Sequence, residues 1–364
     1  MKKIAIVADW LTNFAGAERV ILALHELFPY APIYTSIYNS KKCPGFEKAD
    51  VRTSFIQHLP FAKNHHQMYL AFMPYAFESF DFSDFEIVIS SCHSCSKGII
   101  TKPETLHICY CHSPMRYAWD GCHQYIKGYG MPWPISVLTP FFMTRMRIWD
   151  RCSADRVDKF IANSELVAQR IKKYYQRDAE VIYPFVDLEK FFKDKGQRTK
   201  EKEEGYFLAL GRLIPYKKFD LLVSVFNENG KRLKIIGTGK EFKKLRVMAK
   251  SNIEFLGRVS EKDLQMYYQN AKALIFPQLE DFGIVPLEAM ACETPVIAFG
   301  QGGALETINN DSGVFFKEQT PLSLKQAIEE FEKKKFNPDI IRKQAEKFSK
   351  EKFERAILEL IEKN

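Results

Sequence analysis

The sequence has no apolar run approaching the roughly 18 residues that a membrane-spanning helix requires, which excludes a helical span. Its opening, MKKIAIVADW, is basic at the start, but its apolar run is short and contains Asp9. No small-residue cleavage site follows, so no secretory signal is expected. Eight cysteines are scattered over 364 residues without framework spacing. That excludes a disulfide scaffold and leads us to expect reduced, cytoplasmic thiols. Nucleic-acid motifs, internal repeats and low-complexity segments are missing as well, and no nucleic-acid partner is expected.

What is present is an aromatic-rich globular composition, with 46% apolar residues, 30 Phe and 16 Tyr. The length suffices for two domains of ordinary size. The net charge of +8 points to an anionic partner such as a nucleotide phosphate or anionic lipid, or else to a solvated basic surface.

Along the chain, short β-branched runs alternate with helical patterns. KKIAIVAD, EIVISS and LHICYCH are strand-like, whereas GAERVILALHELF and ELVAQRIKKYY carry helical periodicity, the latter with Ser164 as N-cap. A charged stretch with almost no apolar residues, 193–205, follows and reads as a linker. The alternation then restarts with YFLALGR, KRLKIIGTG, IEFLGR, KALIFPQ and PVIAFG. Two β/α series predict two doubly wound parallel sheets with ligand crevices at the carboxyl ends of their strands. The expected division is 1–190 and 191–347, with a terminal helix at about 348–364 packing back on the first domain.

Two segments carry the chemistry. In KALIFPQLEDFGIVPLEAMA a strand ends near Pro277, a turn contains Glu280, and a helix starts with Pro286 in its first turn. The amides of Phe282, Gly283 and Ile284 then face an anion such as phosphate at the helix N-terminus. Glu280 and Glu288 either accept hydrogen bonds from sugar hydroxyls or merely complement the helix dipole. In ALGRLIPYKKFD, Arg212 and Lys217 follow a strand end and form a cationic clamp suited to a diphosphate.

These residues resemble the retaining glycosyltransferases of family GT4, which have the GT-B fold, two Rossmann-like doubly wound parallel-sheet domains facing across a cleft. The resemblance runs through nearly the whole chain. It rests on the E-x7-E pair Glu280 and Glu288, on Gly211-Arg212-Leu213 with Lys217, and on GGALE with Gly302, Gly303 and Glu306. It implies that Arg212 and Lys217 neutralise the donor diphosphate, Glu288 holds the ribose, and Glu280 meets the transferred sugar. The NFAGAERV turn stands where the family usually has Gly-Gly-x-Glu; Ala15 replaces the first Gly and Gly16 remains. His112 ends a strand where the family places a histidine close to the donor sugar.

CYCHSPMRYAWD and IANSELVAQRIKKYY look like the subgroup that builds bacterial surface polysaccharides, including O-antigen mannosyltransferases. The resemblance thus implies GDP-mannose as donor, a glycan or lipid-linked acceptor, and a place at the inner face of the cytoplasmic membrane. No cofactor and no metal are expected, since D-x-D, the metal–diphosphate device of the other large glycosyltransferase fold, does not occur. Cys92-x2-Cys95 and Cys109-x-Cys111-His112 do not form paired zinc knuckles; Cys109 and Cys111 are read as strand-packing side chains, and Cys92 and Cys95 as flanking a loop at a neighbouring strand end that needs no metal. Gly237-x-Gly239 imitates a dinucleotide turn, but Phe242 occupies the third glycine position. Residues 131–149, with Trp, Phe, Met, Arg145 and Arg147, fit either a membrane-surface helix or one packed on the first sheet. A silent nucleotide-sugar or glycan-binding protein and a nucleotide-sugar epimerase are the alternative functions.

Overall fold

A computed structural model describes residues 2–122, 133–191 and 205–363. The linker-like stretch lies, apart from Gly205, outside the described residues. The chain forms two units, Met1–Tyr183 with Phe353–Asn364, and Pro184–Lys352. The crossing at 183/184 precedes the boundary expected at 190, because Val186 already pairs with Ser349 and donates its amide to the Phe348 carbonyl at 2.9 Å. The return at 352/353 falls within the helix Lys350–Glu362 rather than before it.

The first unit holds strands β1 (Ile4–Ala8), β2 (Ile33–Thr35), β3 (Val51–Thr53), β4 (Ile87–Cys92), β5 (Leu106–Cys111), β6 (Lys159–Ala162) and β7 (Ala179–Val181). They are parallel, in the order β3-β2-β1-β4-β5-β6-β7. Strands such as IAIVA are apolar throughout because a parallel sheet is covered on both faces. One face carries Ala5, Val7 and Val88, packed against the helices Met73–Glu78 and Trp133–Ala154. Farther along it, Cys92, Cys109, Cys111 and Phe160 meet the helix Glu165–Tyr175. Ser164 caps that helix as expected, accepting the Val167 amide at 3.1 Å.

A buried ion pair ties the loop after β4 to the helix Trp133–Ala154. Lys97 and Asp150, both with side chains fully buried, bond directly. Asp150 also accepts from Trp119 Nε1 at 2.7 Å and from Tyr175 Oη at 2.8 Å. The ammonium lies 5.0 Å from the Tyr175 ring centre and 5.6 Å from that of Trp149. Gly98 is required beside it, since a Cβ there would come within 2.3 Å of Trp149.

The second unit holds β8 (Tyr206–Leu210), β9 (Leu233–Ile236), β10 (Ile253–Gly257), β11 (Ala271–Phe276), β12 (Val296–Phe299) and β13 (Gly313–Phe316). Their order is β10-β9-β8-β11-β12-β13, again parallel. The strands not foreseen, β2, β3 and β13, have three or four residues, too few to show a period. Each sheet reverses its strand order once, between β1 and β4 in the first and between β8 and β11 in the second. Such a reversal opens a crevice where ligands of α/β sheets bind.

Candidate functional site

At the β8/β11 reversal the chain leaves β8 through Gly211 and folds into the short turn Pro215–Lys217. Lys218, at φ 58°, then starts the helix Phe219–Asn229. The Gly237-x-Gly239 turn after β9 has a packing explanation. A Cβ on Gly237 would come within 1.9 Å of the Gly211 carbonyl oxygen, and one on Gly239 within 2.3 Å of that of Leu213. Two strand-end loops thus press backbone to backbone, and the Leu213 amide donates to the Thr238 carbonyl at 3.0 Å. That contact anchors the segment bearing Arg212 and Lys217.

Arg212 is exposed and donates to Tyr216 Oη at 3.2 Å. Lys217 reaches over the same Tyr216 ring, its ammonium 5.4 Å from the ring centre, and pairs with the Glu280 carboxylate. The two predicted sets, clamp and turn, therefore meet at the switch point. Glu280 holds the loop through its backbone as well, accepting the Gly303 amide at 3.0 Å. Gly303 belongs to the GGALE segment and lies flat on the turn; a Cβ there would be 2.3 Å from Phe282 Cα. Gly283, at φ 91°, caps the helix Ile284–Ala291, whose first amides lack intrahelical partners. Glu288 lies inside that helix, 4% exposed, and accepts from Tyr268 Oη at 3.0 Å. Tyr268, from the helix Glu261–Asn270, has no signal in the sequence beyond an aromatic at a buried helical position.

The first sheet presents His112 at the end of β5. Its amide donates to the Cys92 carbonyl at 2.8 Å, and its Nε2 lies 2.8 Å from Ser91 Oγ. Burial, with a smaller contribution from nearby His93, lowers its pKa to about 3. The imidazole is neutral at physiological pH and offers one donor and one acceptor. Ala15 has φ −141°, extended backbone that an alanine adopts without strain, and Gly16 opens the helix Gly16–Leu27. Glu18 accepts the Ala15 amide at 2.9 Å.

The Cys92–Ser96 loop is organised by a group that the sequence did not reveal. Asp9, 1% exposed beyond the end of β1, accepts the amides of His93, Ser94, Cys95 and Ser96 at 2.6–2.9 Å. Its Oδ2 is also 3.0 Å from His93 Nδ1. Cys92, Cys95, Cys109 and Cys111 are buried, and burial pushes all four thiols up. They pack as core side chains. Among the described residues no three His, Cys, Asp or Glu are grouped to hold a metal ion.

Of the 131–149 segment, residues 131 and 132 lie outside the described residues. Within the helix Trp133–Ala154, Met143 and Met146 are in the core, while Leu138, Phe141 and Ile148 are exposed on another face. Arg145 is exposed, and Arg147 donates to the Ala118 carbonyl at 2.8 Å. No helix among the described residues is long and apolar enough to cross a membrane.

Residues 14–190 match the family described as Glycosyltransferase Family 4, and residues 190–355 match Glycosyl transferases group 1. The O-antigen chain mannosyltransferase RfbU of Salmonella typhimurium is 31% identical over 159 residues, 40% of this chain and 43% of that protein. The α-1,3/1,6-mannosyltransferase ALG2 of Kluyveromyces lactis is 25% identical over 375 residues, covering 84% of this chain and 71% of its own. Among solved structures, Anabaena HepE in complex with UDP and glucose superposes with a TM-score of 0.71 at 16% identity, covering both chains fully. The chain belongs to glycosyltransferase family GT4 and has the GT-B fold. It spans about half the length of the curated relatives that it matches at 31% identity.

Proposed function

We propose that this protein is a retaining glycosyltransferase that moves a sugar, with mannose from GDP-mannose as first choice, to a glycan or lipid-linked acceptor of the cell surface. The observation that carries this reading is the meeting of Lys217 and Glu280 at the β8/β11 reversal, beside Arg212 and the helix N-terminus at Gly283. Mannose is supported by the mannosyltransferases among the relatives.

Sugar transfer builds positive charge on the ring and negative charge on the departing phosphate. Arg212, Lys217 and the amides of Phe282, Gly283 and Ile284 are suited to the phosphate; Glu280 and neutral His112 are suited to the sugar. Glu288, held by Tyr268, is suited to the ribose hydroxyls. No covalent intermediate and no metal enter this scheme.

A thermal-shift screen of GDP-, UDP- and dTDP-sugars followed by a donor-hydrolysis assay tests it. Stabilisation by a GDP-sugar with slow hydrolysis is the expected result. Stabilisation without turnover would make the protein a binding module. An isomerised donor would make it an epimerase, and no stabilisation by any donor would sink the reading.

We place the acceptor at the inner face of the cytoplasmic membrane, supported by the exposed Leu138, Phe141 and Ile148 beside Arg145 and by the net charge of +8. Each Lys or Arg near anionic lipid adds about 1 kcal/mol of attraction. Binding to anionic but not neutral liposomes is expected, lost in high salt and weakened by Phe141→Ser with Arg145→Glu. Equal binding to both liposome types, or none, points to a soluble acceptor.

A further inference from the structure

The segment that follows β3 has a surface that the scheme above leaves unused. No Asp or Glu occurs in residues 51–77, although the chain contains 45 of them. The segment passes through the helical turns His66–Phe72 into the helix Met73–Glu78. One side is firmly anchored. The His66 ring, 8% exposed, stacks on Trp10 at 4.5 Å between ring centres, and its Nδ1 lies 3.3 Å from Thr12 Oγ1. Tyr69 Oη donates to the Pro60 carbonyl at 2.7 Å, and Met73, Ala76 and Phe77 join the core. Other side chains of the segment are apolar and uncovered: Phe61 is 73% exposed, Met68 67% and Tyr75 66%, and Phe72 is exposed too.

Phe61 is also held in an uncommon backbone conformation, with φ 58° in the left-handed region. The other non-glycine residues there among the described ones, Gln176, Lys218 and Glu293, are polar and lie at helix ends. A bulky side chain is a rare occupant of that region, and such strain collects at functional sites. The Phe61 carbonyl accepts the amides of Asn64 and His65 at 3.0 and 2.9 Å, so the turn is closed by backbone and not by the ring. Lysines surround it. Lys42 Nζ donates to Asn64 Oδ1 at 2.8 Å, and Lys41 and Lys63 are exposed with no ion pair among the described residues.

Exposed apolar side chains, flanked by lysines and without carboxylates of their own, fit an anionic bilayer. Ring and thioether enter the acyl boundary while the ammonium groups stay among the headgroups. A second copy of the chain fits worse, since a two-fold contact sets these lysines against themselves. We propose that residues 61–75 form a membrane-inserting element, with Phe61 leading and acidic phospholipid headgroups as partners of Lys41, Lys42 and Lys63. This inference rests on the membrane placement proposed above. The helix Trp133–Ala154 shares the core cluster of this segment through Met143 and Met146, so its exposed Leu138 and Phe141 belong to the same helical layer.

The test mixes Phe61→Trp with phosphatidylglycerol vesicles that carry brominated acyl chains. Tyr30→Trp is the control, an exposed position ahead of β2 at the opposite end of the sheet. Relative to wild type, the emission added by Phe61→Trp is expected to shift to the blue and to be quenched, and that added by Tyr30→Trp to do neither. Phe61→Asn separates insertion from folding. Asparagine accepts the left-handed conformation, so the melting temperature should hold or rise. Vesicle affinity should fall about 10-fold, the loss expected when one aromatic side chain forgoes its apolar burial. Wild-type binding with no quenching in Phe61→Trp and full affinity in Phe61→Asn would overturn this inference, leaving the membrane contact to the helix Trp133–Ala154. A wild type that sediments with no anionic vesicle would overturn the membrane placement and this inference together. A concentration-dependent dimer abolished by Phe61→Asn would assign the segment to contact between copies instead.

Discussion

Replacing Arg212 with alanine is expected to slow sugar transfer by about 10²–10³-fold, the usual effect of deleting one preorganised donor to a developing charge. That factor corresponds to about 3–4 kcal/mol of transition-state stabilisation. Arg212 is exposed and hydrogen-bonds Tyr216 Oη, so the fold should survive and the melting temperature should hold. The companion variant Lys217→Ala has a double effect, since it also leaves Glu280 without its ammonium partner. Donor binding and turnover should both fall there, whereas Arg212→Ala should spend most of its effect on turnover. An Arg212→Ala enzyme with near-normal kcat would remove the clamp from the mechanism.

The largest stability effect is expected at Lys97. Removing one member of a buried ion pair leaves the other charge unpaired at a cost of about 3–5 kcal/mol. In Lys97→Met the Asp150 carboxylate would keep Trp119 and Tyr175 as donors but lose its cation. Adding Asp150→Asn should recover part of the loss, because the stranded charge disappears. Burial, the largest single influence, lowers the Lys97 pKa, but attraction and hydrogen bonding to Asp150, together with Cys92 and Cys95 nearby, outweigh it and raise the value above its usual 10.5. The ammonium's share of the stabilisation is therefore fully present below about pH 10.5 and fades as alkali titrates it in the folded state. Chemical denaturation of the three proteins at pH 7 measures this. Equal stability of Lys97→Met and wild type would show that Asp150 is satisfied without the cation.

The two parallel sheets were legible because strands buried on both faces read as continuous apolar runs, and the polar turns between them read as breaks. Lys217 and Glu280 could be nominated because each follows a strand end. Their pairing could not, since the two residues lie 63 apart in sequence and meet only because β8 and β11 are neighbours. The same holds for Asp9, whose partners lie 84–87 residues away. In the sequence it was only a charge interrupting an apolar run. The local spacing of Cys92 and Cys95 spoke against a zinc knuckle pair but did not show what the two side chains pack against. Only the sheet shows that Cys92 shares a packing cluster with Cys109 and Cys111. Gly237 and Gly239 mimicked a nucleotide-binding turn for a related reason: a glycine demanded by a neighbouring backbone has the same spelling as one demanded by a phosphate.

The first unit is closed by residues from both ends of the sequence. Phe353, from the helix Lys350–Glu362, lies edge-on to Tyr110 of β5 at 5.8 Å between ring centres. On the ribosome, domains usually form in order of synthesis. Here the whole of Pro184–Lys352 must emerge before the helix that completes the earlier unit exists. The nascent first sheet therefore waits with Tyr110 uncovered, and the later unit can mature before the earlier one.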